Sequence, residues 1–235
     1  MDSLRNIESW VFDLDNTLYP RNCDLFAQVD SLITDYMVRI TGLKRDAARR
    51  LQKDYYRDHG TTLNGLMIHH DVDPDHYLDC VHDIDYSPIK ADPELVACIG
   101  GLPGKKYIFT NADMGHTKAV LTRIGAWELF DGMFDIRAAG LVPKPELPAY
   151  EKFLKEHGID PNGAAMFDDL EKNLRIPHLL GMTTVQVVAG GEFGHEQVEG
   201  WELEQKGDED HVHHVTDDLV DFLKALKLSS RTHEA

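Results

Sequence analysis

The chain has 235 residues, 42% of them hydrophobic and 28% charged, enough for a sizeable core or for one core with a small insert. Its 24 Lys and Arg against 41 Asp and Glu give a formal net charge of −17, which argues against duplex nucleic acid and anionic membranes as partners and leaves any anionic substrate in need of local cations. Cys23, Cys80 and Cys98 lack CxxC spacing, so neither a disulfide framework nor a zinc site is expected and a reducing cytoplasm fits best; the start MDSLRNIESW has no signal-peptide pattern, and no apolar run approaches the ~20 residues of a membrane span.

Residues 7–14 read as the first strand. Its apolar run Trp10, Val11, Phe12 ends in Asp13, and Asp15 follows within WVFDLDNTLYP, residues 10–20. A buried strand that finishes in carboxylates is costly unless the charge is used. Residues i and i+2 of an extended segment point the same way, so Asp13 and Asp15 emerge together where Asn16 and Thr17 break the strand. That is the edge at which open α/β sheets place their ligands.

Helical periodicity then takes over. Residues 24–40 place Leu25, Val29, Leu32, Ile33 and Tyr36 on one face. Residues 44–59 form a very polar second helix closed by Gly60, and residues 61–70 and 73–81 two shorter ones, the last with Asp73 as N-cap and Pro74 at its first position. An all-helical block placed directly after such a strand reads as a cap, tethered at residues 19–23 and 83–92. The expected division is a core of residues 1–20 and 88–235 with a cap of residues 21–87.

Strands and helices alternate from there, which predicts an α/β fold with a parallel sheet. Residues 93–99 are helical; strand 105–110 leads into Asn111-Ala112-Asp113; residues 115–124 are helical and 132–136 a short strand. A loop at 141–145 carries Lys144 between two prolines, and residues 146–157 are helical. Strand 164–167 runs into Asp168-Asp169, followed by helix 171–180, which Pro177 should kink or shorten. Residues 183–188 are a strand and 189–210 a Gly-rich acidic loop. Residues 211–215, HVHHV, are a last strand with His211 and His213 on one face; residues 217–226 are a last helix and 229–235 a frayed tail.

Four loops thus follow four strands on one edge, offering Asp13 and Asp15, then Thr110 and Asn111, then Lys144, then Asp168 and Asp169. The order suits metal-assisted phosphoryl transfer. Carboxylates hold a hard cation through oxygen; a hydroxyl, amide donors and an ammonium neutralise phosphoryl oxygens; one carboxylate attacks and another moves a proton. The histidines lack partners at zinc-ligand spacing, including His69-His70, so no histidine metal site is expected. The acidic run 202–210 lacks EF-hand spacing and reads as a solvated loop.

In these motifs the chain resembles the haloacid dehalogenase-like hydrolase superfamily: DLDNT at 13–17, TNA at 110–112, KP at 144–145 and FDDLEKN at 167–173. YYRDHGTTLNGL at 55–66 and the DNTLYP form of the first motif are similar to pyrimidine 5′-nucleotidases. The resemblance implies a Rossmann-like core with a helical cap of the C1 type. It implies Asp13 as nucleophile, forming an aspartyl-phosphate, and Asp15 as the acid that protonates the leaving oxygen and the base that activates water. Mg²⁺ would be held by the Asp13 carboxylate, the Asp15 backbone carbonyl and Asp169, with Asn173 as partner to Asp169 and Asp168 acting from behind or through water. Thr110, Asn111 and Lys144 would hold the phosphoryl oxygens, and Tyr56, Asn64 and Gly65 of the cap would meet substrate.

Haloacid dehalogenases share the nucleophile but lack the second aspartate, since a departing halide needs no proton. Asp15 therefore points to phosphate esters. The expected function is a Mg²⁺-dependent phosphomonoesterase acting on pyrimidine nucleoside 5′-monophosphates such as UMP and CMP, its partners being small phosphorylated metabolites. A sugar-phosphate phosphatase, a phosphoglucomutase-like phosphotransferase and a catalytically idle binding protein are the alternatives.

Overall fold

A computed structural model describes residues 2–188 and 210–231. Six parallel strands form its sheet: β1 (Ser9–Phe12), β2 (Lys105–Phe109), β3 (Gly132–Phe134), β4 (Ala164–Asp168), β5 (Thr183–Val187) and β6 (His214–Thr216), in the order β3-β2-β1-β4-β5-β6. β1 lies between β2 and β4, with Val11 opposite Tyr107 and Met166. The chain winds outward from β1 first one way and then the other, the doubly wound Rossmann-like arrangement.

The two-residue side-chain period divides the core between the two faces. Trp10, Phe12, Ile108, Ala165 and Phe167 pack on one face with Leu95, Ile99, Val120, Leu121 and Leu223 from α5 (Pro93–Gly100), α6 (Met114–Ile124) and α9 (Leu219–Arg231). Val11, Tyr107, Phe109 and Met166 pack on the other with Tyr150, Phe153 and Leu174 from α7 (Leu147–His157) and α8 (Glu171–Leu180). Phe12 stacks on Phe167 with ring centroids 4.7 Å apart, joining β1 to β4 directly beneath the strand ends that carry Asp13 and Asp168.

Between β1 and β2 the chain makes α1 (Leu25–Thr41), α2 (Arg45–His59), α3 (Thr62–His70) and α4 (Pro74–Val81). These helices have a hydrophobic cluster of their own, including Tyr36, Met37, Ala48, Tyr55, Leu66 and Leu78. As expected, Asp73 caps α4, accepting from Asp75 N, with Pro74 at the first position. Gly65 is what lets α3 close on α2: a Cβ there would lie 2.4 Å from Cγ of Tyr55.

Several elements depart from expectation. β3 stops at Phe134 because the Asp135 side chain turns back to accept from Ala138 N at 2.7 Å; Ile136, expected in the strand, instead joins the cluster of the inserted helices. β6 begins only at His214, so His211 and His213 share no strand face. Thr184 N and Oγ1 engage His213 Nδ1, and Thr184 Oγ1 donates to His211 O, which replaces ladder pairing there. Pro177 does not shorten α8, which runs through to Leu180. The Asn173 carbonyl, which loses its helical donor to that proline, accepts the Tyr150 hydroxyl at 2.8 Å. α9 continues to Arg231, past the expected start of the tail. The loop at 189–210, but for Asp210, the acidic run within it, and residues 232–235 lie outside the described residues.

Candidate active site

Three carboxylates converge at the C-terminal ends of β1 and β4. Asp13, Asp168 and Asp169 each offer an oxygen within 4.8 Å of the others, and all three are buried. Lys144, on the loop before α7, enters this acidic cluster almost fully buried. Its ammonium donates to Asp13 Oδ1 and Asp168 Oδ2, both at 2.7 Å. Burial alone would drive the lysine toward neutrality, but Asp13 and Asp168 hold its pKa above the usual lysine value.

Asn111 fixes that loop. Its Oδ1 accepts from Lys144 N at 2.8 Å and its Nδ2 donates to Lys144 O at 3.1 Å. The Asn111 side chain thus clamps the lysine backbone, and the residue also lines the cavity over the site. Thr110, 2% exposed, lines the cavity and accepts from Ala112 N through Oγ1.

The Asp168 carboxylate accepts three hydrogen bonds. Oδ1 accepts from Leu170 N and Asn173 Nδ2 at 3.0 and 2.9 Å, and Oδ2 from Lys144. Asn173 therefore partners Asp168, not Asp169 as its spacing suggested. Asp169 instead accepts from Arg21 Nη2 at 2.6 Å, a contact from the first linker that the sequence did not flag. Burial and the neighbouring Asp168 raise the Asp169 pKa to about 6 against the pull of Arg21. Burial likewise lifts Asp13 well above the carboxylate range, opposed by Lys144 and reinforced by Asp168, Asp169 and Asp15.

Asp15 has other partners. Its Oδ1 accepts from Tyr19 OH at 2.5 Å and pairs with His116 Nε2 at 2.7 Å. Burial pushes this carboxyl up, yet His116, Tyr19 and His82 together hold it below its usual value. His116, 2% exposed on the first turn of α6, was missed: one buried histidine on an apolar helix face carries no sequence signal of its own. Its pKa is raised because Asp15 outweighs the burial penalty. Thr17 adds a long hydrogen bond to Asp13 Oδ2 at 3.3 Å.

Above these groups lies a cavity of about 230 Å³, roofed by α1–α4. Asp13, Asp15, Thr110, Asn111, Lys144 and Asp169 form its floor; Phe26, Val29, Ile33, Gln52, Lys53 and Tyr56 face them. Tyr56 also accepts from Lys172 Nζ at 2.9 Å, tying α2 to α8. Asn64 and Gly65 do not line the cavity. Asn64 Nδ2 donates to His59 O, and Gly65 packs against Tyr55.

The sequence profile of the haloacid dehalogenase-like hydrolases matches residues 8–175, which takes in all four loops and the inserted helices. The chain belongs to this family of hydrolases. Phosphate metabolism protein 8 of Saccharomyces cerevisiae is 26% identical over 189 residues, 73% of this chain; the match spans 58% of the yeast protein's length. Among solved structures, a HAD phosphatase from Thermococcus onnurineus aligns with 94% of the hydrolase and 98% of its own chain, at a TM-score of 0.58 and 17% identity. The L-2-haloacid dehalogenase of Xanthobacter autotrophicus aligns with the same shares at 0.57 and 14%. Both relationships are of fold.

The donors of the hydrolase fit a hard divalent cation. All are oxygens: the carboxylates of Asp13, Asp168 and Asp169 lie together, met by the ammonium of Lys144 and, at Asp169, the guanidinium of Arg21. Asn173 Oδ1 is buried with no hydrogen-bond partner among the described residues, one further oxygen beside the cluster.

Proposed function

We propose that the chain is a Mg²⁺-dependent phosphomonoesterase acting through an aspartyl-phosphate on Asp13, with residues 21–87 as its cap and pyrimidine nucleoside 5′-monophosphates such as UMP and CMP as substrates. The observation that carries this reading is Asp15, a second carboxylate on the cavity floor held by Tyr19 and His116. Displacing a halide would leave it without work; expelling an alkoxide requires the proton it can deliver.

In the forward step an Asp13 carboxylate oxygen attacks phosphorus, the P–O bond to the alcohol breaks, and Asp15 gives its proton to the leaving oxygen. Water then attacks the phosphorus of the acyl phosphate, Asp15 takes the water's proton, and Asp13 returns to carboxylate as phosphate leaves. The lowered pKa of Asp15 suits the second step. An incoming phosphate dianion raises a neighbouring carboxyl and so loads it for the first. Lys144 opposes the burial that disfavours the charged form of Asp13 and offers its ammonium to the phosphoryl group. Mg²⁺, held by Asp13, the Asp15 carbonyl and Asp169, would neutralise the phosphoryl oxygens. In that arrangement Asp168 serves by orienting Lys144, whose ammonium its Oδ2 accepts at 2.7 Å.

The nucleotide assignment rests on the resemblance of residues 55–66. The volume of the cavity favours a second reading. At about 230 Å³ it is smaller than the roughly 300–1,000 Å³ usual for ligand sites, which suits a sugar phosphate unless the cap swings open for a nucleotide. A panel of phosphate esters with free-phosphate detection, run with and without EDTA, separates these readings. UMP and CMP should lead, and EDTA should abolish turnover. A clear preference for a sugar phosphate would overturn the nucleotidase assignment, and turnover indifferent to EDTA would overturn the metal requirement.

A further inference from the structure

Both hydrogen bonds that the Asp15 carboxylate makes among the described residues fall on one oxygen, Oδ1. One of the two anchors, His116, is itself held by several neighbours. Its Nδ1 meets Tyr86 OH at 3.0 Å, its face stacks on His82 at 4.5 Å, and its backbone N donates to Asp113 Oδ1 at 2.8 Å. Asp113 Oδ2 holds His82 Nδ1 at 2.8 Å, and Tyr86 OH also reaches His82 O at 3.0 Å. The network thus fixes one buried ring whose other nitrogen ends on a single carboxylate oxygen.

We propose that His116 is a positioning residue for proton transfer: by fixing Oδ1 of Asp15 it leaves Oδ2 as the oxygen that carries the proton to and from the reacting groups. Tyr86, which enters from the linker between α4 and α5, sets the ring. The role rests on the phosphomonoesterase reading, and it adds a demand that this reading alone does not make. Loss of His116 should matter in proportion to how badly the leaving group needs a proton.

The test is alcohol release in a single turnover with Mg²⁺ and enzyme in excess, which isolates the first step. Two esters are compared: p-nitrophenyl phosphate, whose leaving phenolate needs no proton, and an alkyl phosphate, whose alkoxide does. His116→Leu should lose about 10²-fold in rate on the alkyl ester and only a few-fold on the nitrophenyl ester, with little change in substrate affinity. Combined with Asp15→Asn it should add almost nothing to the loss from Asp15→Asn alone. Tyr86→Phe, which touches neither Asp15 nor the cluster, should show the same selectivity at smaller size and carries the test should His116→Leu fail to fold. Equal losses on both esters, or losses that multiply with Asp15→Asn, would overturn the positioning role. A wild-type enzyme inactive on both esters would instead overturn the phosphomonoesterase reading.

Discussion

At the scale of single residues the site is a buried charge balance centred on Lys144. Its ammonium lies between Asp13 and Asp168, with almost no solvent to take over either contact. Removing one partner of such a cluster leaves the others unpaired. Lys144→Met should therefore cost about 3–5 kcal/mol of stability at neutral pH as well as activity, measured by denaturant unfolding. A loss below about 1 kcal/mol would mean that the two carboxylates find other partners. The positions of Asp13, Asp15 and Thr110 were legible because apolar runs that stop at polar residues mark strand ends, and that of Lys144 from its place in the order of the loops. The partner of Asn173 was not. Counting four residues back assumes a helix, but Asp168 still belongs to β4 and reaches Asn173 across the turn before α8. The clamp of the Asn111 side chain on the Lys144 backbone was not legible, because only the fold brings these two loops together.

At the scale of elements, boundaries were legible wherever capping chemistry set them. Asp73-Pro74 opens α4, and Gly60 follows the last residue of α2, in line with sequence. They were lost where a side chain far away in sequence decides the matter. Thr184 takes His213 out of β6, and Tyr150 supplies the hydrogen bond that lets α8 pass Pro177. The expected contact of Asn64 and Gly65 with substrate rests on the resemblance of residues 55–66, and in the structure both make contacts among the inserted helices instead. Gly65→Ala tests the Gly65 contact. Alanine improves helix propensity by about 1 kcal/mol, yet its Cβ would collide with Tyr55. The expected outcome is a net destabilisation of about 1–3 kcal/mol in thermal or denaturant unfolding, and a variant as stable as the parent would contradict the packing.

Across the whole molecule, the parallel sheet brings groups more than 150 residues apart in sequence to one edge, while the inserted helices close over them. Arg21 and Tyr86, from the segments on either side of the inserted helices, each reach the site, one on Asp169 and the other on His116, so both ends of the insertion are joined to it. The fold class was legible because strand and helix alternate so regularly. The cavity between core and cap was not, because its shape depends on how two separately packed clusters meet. The central claim is that Asp13 becomes phosphorylated. Rapid mixing of the Mg²⁺-loaded enzyme with UMP, acid quenching and mass analysis of the peptide spanning residues 10–20 tests it most directly. One added phosphoryl group should appear on Asp13 and be absent in Asp13→Asn, whose turnover should fall at least about 10³-fold. Full turnover by Asp13→Asn, or a phosphoryl group trapped on another residue, would contradict it.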